Sequence, residues 1–219
     1  MPRSPEVDPT RAACMLLAVG LMVLVVMQLT GLFVNSIGRN GEIVGIPFGQ
    51  MVILAALYYS YSIGLPRITW GGCIMKGVGL GIFAVFFAIA ITWGWTEILD
   101  YMKIPYAEQP MISRLRDAGP AEFAFIGIVT GFWGPLVEEI YFRGWWQSVA
   151  KQKLGAVWGI GVVAVAFALL HGSVAIFPGL VVAGICFGLA ANIWGLSSAV
   201  AAHIVFNLIT IIAARGGWL

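Results

Sequence analysis

The stretch Ala121–Gln147, AEFAFIGIVTGFWGPLVEEIYFRGWWQ, decides how the chain is read. It is long and apolar enough to cross the ~30 Å hydrocarbon core of a bilayer, for which about 20 residues suffice. Yet its second half carries Glu138, Glu139 and Arg143. Ionisable groups inside an apolar span cost roughly 2.5–3.5 kcal/mol each on insertion scales, so their presence points to function.

Working outward, six more apolar runs share this character: Ala12–Val34, Ile43–Ile63, Gly72–Leu99, Leu154–Leu170, Phe177–Ile193 and Ser197–Ala214. Lipid offers no hydrogen bonds to a backbone, which leaves helices or closed barrels, and these runs are too long and too uniformly apolar for barrel strands. The expectation is an all-α, polytopic transmembrane helical bundle of about seven spans, with six to eight as the range. The whole chain, 1–219, reads as one integral membrane domain, and residues 121–214 as its motif-bearing core. Composition agrees. Of 219 residues 60% are apolar and only 10% charged, against about 25% charged in an ordinary soluble domain. A soluble enzyme, a disordered chain and a disulfide-stapled secreted domain are thereby excluded. The net charge of +2, without a basic block, gives no support to nucleic acid as a partner.

The apolar run after Arg11 continues without a small-residue cleavage site, so it reads as a retained span rather than a signal peptide. The Lys and Arg distribution leans only slightly towards an inside N-terminus, and the expected setting is the cell membrane of a prokaryote. Cys14, Cys73 and Cys186 lie far apart and read as small hydrophobes of a bundle. The one long polar stretch, Asp100–Pro120, is expected to be a plain connector, with an interfacial helix or a lid as alternatives.

Both histidines of the chain lie in the same half as the glutamates: Phe167-Ala-Leu-Leu-His171 and His203-Ile-Val-Phe-Asn207. Helix geometry separates the glutamates. Positions 138 and 139 differ by about 100° around the axis. Glu139 and Arg143 are spaced i, i+4, acid first, the favourable order for an ion pair. Glu138 is left without a local cation. His203 and Asn207 share a face, and Phe167 stands one turn before His171 and can pack beside its ring.

If Glu138, His171, His203 and Asn207 converge, they supply the parts for hydrolysis. A carboxylate taken out of water can accept a proton from an attacking water and return it to a leaving amine, while imidazole and amide donors hold the developing oxyanion. Glu138, His171 and His203 are instead a set that could ligate zinc with one position open. Other readings of the same residues are a small proton-coupled transporter titrating at Glu138, and a scaffold or immunity protein in which these groups are interhelical hydrogen bonders.

Taken in order, Glu138-Glu139-x-x-x-Arg143, Phe167-x-x-x-His171 and His203-x-x-x-Asn207, with Phe142-Arg143-Gly144 and Ala201-Ala202 beside them, resemble the three motifs of the CPBP (CAAX-protease and bacteriocin-processing, or Abi) family of intramembrane endopeptidases. The resemblance covers Leu136 to Asn207; the first three spans carry no motif. It implies cleavage of a membrane-associated protein or peptide (a CAAX-like C-terminus, a leader or a sorting signal). Glu138 would activate water, His171, His203 and Asn207 would complete the catalytic set, and Glu139, Arg143 and Phe167 would support it. Family members are commonly called metalloproteases, but glutamate-activated water without metal is the preferred reading, with zinc as the alternative.

Two structural demands follow. The 138 carboxylate must stand within about 7 Å, a water bridge, of an imidazole. In an antiparallel hairpin Glu138 and His171 would lie at opposite depths unless the fourth helix continues two or three turns past Arg143, towards Lys151. A helix over 121–150 would be about 45 Å long.

Overall fold

The computed structural model describes Cys14, residues 49–51, 54, 55 and 58, and residues 70–219. The expected first two spans lie almost wholly outside the described residues. Within them every regular element is helical: α1 (Ile74–Tyr101), α2 (Pro110–Asp117), α3 (Pro120–Leu170), α4 (Phe177–Trp194) and α5 (Leu196–Arg215). Among the described residues four helices, all but α2, are long and apolar enough to cross a membrane. They contain the last five of the seven apolar runs, because α3 takes up two.

The 51 residues of α3 form two limbs. Helical geometry fails inside it at Gly155 (φ 78°, ψ 170°), a conformation essentially confined to glycine. The limb after Gly155 folds back onto the limb before it. A Cβ built on Gly159 would stand 2.8 Å from Lys151 N, and the Phe142 and Phe167 rings meet edge to face at 5.4 Å. The first limb thus continues past Arg143 to residue 154, as the depth argument requires. The apolar run ends at Gln147, but the stretch with Ser148, Lys151, Gln152 and Lys153 stays helical. Its Lys151 Nζ donates to Asn192 Oδ1 of α4. With Gly155 as the turning point, Glu139 and His171 fall at equal sequence distances from it and hence at similar depth.

A second single-residue turn joins α4 to α5 at Gly195 (φ 98°, ψ 168°). Phe187 and His203, equally far from it, stack at 4.5 Å. The first limb of α3 runs alongside α4 in the same direction, in a ladder that steps one helical turn at a time. Arg143 Nη2 donates to Gly184 O (3.1 Å), Gln147 Nε2 to Gly188 O (2.9 Å), and Lys151 to Asn192. The small residues of α4 let these long side chains reach its backbone. On the other flank Gly77 and Gly81 of α1 lie on Ser198 and Ala202 of α5. Built Cβ atoms would come within 2.2 Å of Ser198 O and 2.4 Å of Ala202 O, the small-residue contact by which helices approach in lipid. The outward side of α1 exposes Phe83, Phe86, Phe87 and Trp93, as expected where the surrounding medium is apolar.

The polar stretch between α1 and α3 is more than the plain connector expected. It holds α2, which starts with Pro110 at its first position. The last carbonyls of α2 are satisfied from the far end of the chain: Arg215 Nη1 donates to Leu115 O, Arg116 O and Ala118 O at 3.0, 2.8 and 2.8 Å. Arg114 pairs with Glu122 at 2.7 Å. Of the cysteines, Cys186 is buried in the bundle as expected, while Cys14 and Cys73 are exposed.

Candidate active site

The site is built where the two hairpins meet. Glu138 and Glu139 lie between two π-helical turns of α3, Val129–Trp133 and Ile140–Trp146. Such turns are common at functional sites, and the first has a local cause. Gly134 N donates to Val129 O, five residues back. In that register the next donor would serve Thr130 O, but residue 135 is proline and has no N–H. Asn207 Nδ2 of α5 supplies the missing hydrogen bond at 2.7 Å. One of the amide's two N–H groups is thereby committed to backbone.

The adjacent glutamates have different surroundings, as their spacing foretold. The Glu139 side chain is fully buried and that of Glu138 a quarter exposed. Glu139 Oε2 lies 3.3 Å from Arg143 Nε, and Glu139 Oε1 lies 2.9 Å from His203 Nδ1. A carboxylate only accepts, so Nδ1 carries the proton and donates. The imidazole is thus fixed with its other nitrogen, Nε2, facing Glu138 Oε2 at 4.0 Å. This is the pattern in which a buried carboxylate orients a working histidine.

Aromatic rings surround this cluster. The Arg143 guanidinium carbon lies 5.1 Å from the centre of the Phe167 ring, 5.7 Å from Phe142 and 5.9 Å from Phe187. That distance is within cation–π range. Phe167 also touches both imidazoles, at 4.6 Å for His171 and 5.6 Å edge to face for His203. It is therefore the hub of the site rather than the neighbour of His171 alone. His171 itself is exposed, at the C-terminal end of α3, and its Nδ1 donates to Phe167 O at 2.8 Å. Both histidines therefore keep Nε2 clear of backbone.

The structure brings Glu138, Glu139, Arg143 and His203 into one polar cluster and joins His171 to it through the Phe167 ring. Asn207 is one turn beyond His203 on α5, with its amide on α3. The Glu138–His203 approach meets the water-bridge demand. For zinc the donor set fits less well: among the described residues no three His, Cys, Asp or Glu side chains are grouped as a metal ion would need. Sequence reasoning missed Gln147, whose rung of the ladder is buried, and the Thr130 carbonyl. The signal for the latter was Pro135 within an apolar run.

Residues 120–209 resemble a known family. They match the family described as type II CAAX prenyl endopeptidase Rce1-like. That segment is similar to the CAAX-protease family. It contains all seven residues carried over from the motifs, and the four long apolar helices among the described residues are those of an integral membrane protein. Among curated proteins and among solved structures nothing matches this chain.

Proposed function

We propose that the chain is an intramembrane endopeptidase in which Glu138 activates the attacking water. The observation that carries this reading is the imidazole held between two glutamates, with Nδ1 on Glu139 and Nε2 towards Glu138. A water beside Glu138 gives one hydrogen to the carboxylate as its oxygen bonds to the scissile carbonyl carbon. The carbonyl electron pair moves to oxygen, where His203 Nε2–H, when protonated, donates to it, joined by the second N–H of Asn207. Collapse of this intermediate breaks the C–N bond, and the proton on Glu138 passes to the leaving nitrogen. His171, exposed at the rim and packed on Phe167, assists when doubly protonated, its Nε2–H donating to the substrate side of the oxyanion. Glu139 and Arg143 hold His203 in place and take no part in proton transfer.

The substrate class is a membrane-associated peptide, with a prenylated CAAX-like C-terminus favoured by the family match. The test is mass spectrometry of such a peptide incubated with the purified protein, with Glu138→Ala and with wild type in chelator. Cleavage by wild type alone and in chelator, and none by Glu138→Ala, is expected. Retained cleavage in Glu138→Ala removes the mechanism. Loss in chelator restored by zinc would assign the water to a metal.

A further inference from the structure

We infer that Gln50 is a positioning residue for the attacking water, an inference that rests on the proposed role of Glu138. Gln50 lies outside the matched segment, in a part of the chain that carries no motif. Its side chain is nonetheless buried at the site, with only 7% of its surface exposed. A Cβ built on Gly134 would stand 2.7 Å from Gln50 Nε2 and 3.7 Å from Glu138 Oε1. Gly134 is one turn before Glu138 on α3, and helical side chains lean back over the preceding turn. The amide and the carboxylate therefore converge over the same glycine, and a side chain at 134 would evict the amide.

Gln50 Oε1 is buried and has no hydrogen-bond donor among the described residues. An unmade buried hydrogen bond is expensive, so this oxygen is open to a small donor. The other charged groups of the cluster are engaged: Glu139 by Arg143 and His203, and Arg143 also by Gly184 O. The Gln50 amide, approached through Nε2, stands over the same glycine as the general base, and its unpaired oxygen suits one small ligand well, a water molecule. Water has two hydrogens. With one on Glu138 and the other on Gln50 Oε1, its orientation is fixed and a lone pair is left to attack. When the oxygen bonds to the carbonyl carbon, the first hydrogen passes to Glu138. The second stays on the new hydroxyl group, still held by Gln50. Gln50 neither gains nor loses a proton in the whole sequence, and the proton on Glu138 leaves with the amine when the C–N bond breaks.

The test uses the full chain in lipid vesicles with a farnesylated CAAX peptide as probe, reading kcat, KM and the thermal unfolding midpoint. Gln50→Met keeps the volume and removes the acceptor. It is expected to lower kcat about tenfold to a hundredfold, the scale of a misplaced reacting group, with KM within about threefold of wild type. Gly134→Ala, which displaces the amide, should lower kcat similarly. The double variant should fall no further than the lower single, as for two changes acting through one contact. A kcat of Gln50→Met within threefold of wild type, while Glu138→Gln is inactive, overturns the inference and leaves the proposed function standing. So does a loss that lies wholly in KM. An active Glu138→Gln removes the proposed function itself. Should Gln50→Met fail to fold, Gln50→Asn decides, since it keeps an amide but withdraws it from Glu138. A fall in kcat supports the inference and a wild-type kcat overturns it.

Discussion

The two glycine turns use nearly the same backbone in opposite surroundings. At Gly155 (φ 78°) nothing among the described residues lies within 4 Å of where a Cβ would stand, whereas at Gly195 (φ 98°) a Cβ would meet Gly71 O at 2.4 Å and Gly71 C at 2.7 Å. The α4–α5 turn is wedged in place: Ser197 N also donates to Gly71 O at 2.9 Å. The turn of α3 is free at its tip and is held by what its limbs meet far away, the Phe142–Phe167 contact and the ladder to α4. His203 and Asn207 are therefore borne by a hairpin fixed at its end. Glu138 and His171 are borne by one fixed along its length. The site stands at their junction, and Arg143 bridges them, with Glu139 on its own limb and Gly184 O on α4.

Changes that weaken one hairpin or the bridge should rank accordingly. Arg143→Met cuts the bridge and leaves Glu139 buried with His203 as its one remaining partner in the cluster. A loss of about 3–5 kcal/mol is expected, the scale of a broken buried ion pair, read as a lowered midpoint of denaturant unfolding in detergent. Combining it with Glu139→Gln should recover part of that loss, because the orphaned charge is gone. Gly195→Ala comes next. Its backbone strain of about 1–3 kcal/mol is compounded by the clash with Gly71, so it must exceed Gly155→Ala in the same assay. Gly155→Ala is expected to show the strain alone. Equal losses at the two glycines would break the distinction drawn between the hairpins. Smallest is Lys151→Ala, at the exposed end of the ladder, where a loss below about 1 kcal/mol is expected.

Much of this was legible beforehand, for identifiable reasons. Apolar length alone finds α1, α4 and α5, since lipid demands internally satisfied backbone. The i, i+4 spacing separates Glu139, tied to Arg143, from Glu138, and that separation survives although Arg143 lies inside a π turn. What the sequence hid is long-range or cooperative. Residues 148–153 lie beyond the apolar run because they approach the end of a crossing limb, so hydropathy alone does not show that the helix continues through them. Gly155 looks like one more glycine of an apolar run, and only the return of Phe167 to Phe142 reveals it as a turn. The helix α2 depends on Arg215, a hundred residues away, to satisfy its carbonyls. Asn207 could be read as a donor to substrate or as a tie between helices, and the hydrogen bond to Thr130 O shows that at least one of its N–H groups is a tie. Gln50 gave no signal, because a lone amide in an apolar run becomes informative only when Gly134 is seen beneath it.

The most direct test of the account compares the neighbouring glutamates in one preparation, by measuring peptide cleavage and unfolding midpoint for Glu138→Gln and Glu139→Gln. Glu138→Gln should keep the wild-type midpoint and lose cleavage by about a hundredfold to ten-thousandfold, the range of a removed general base. Glu139→Gln should lower the midpoint, since it unpairs Arg143. Cleavage at the wild-type rate by Glu138→Gln would contradict the assignment of the chemistry to that carboxylate.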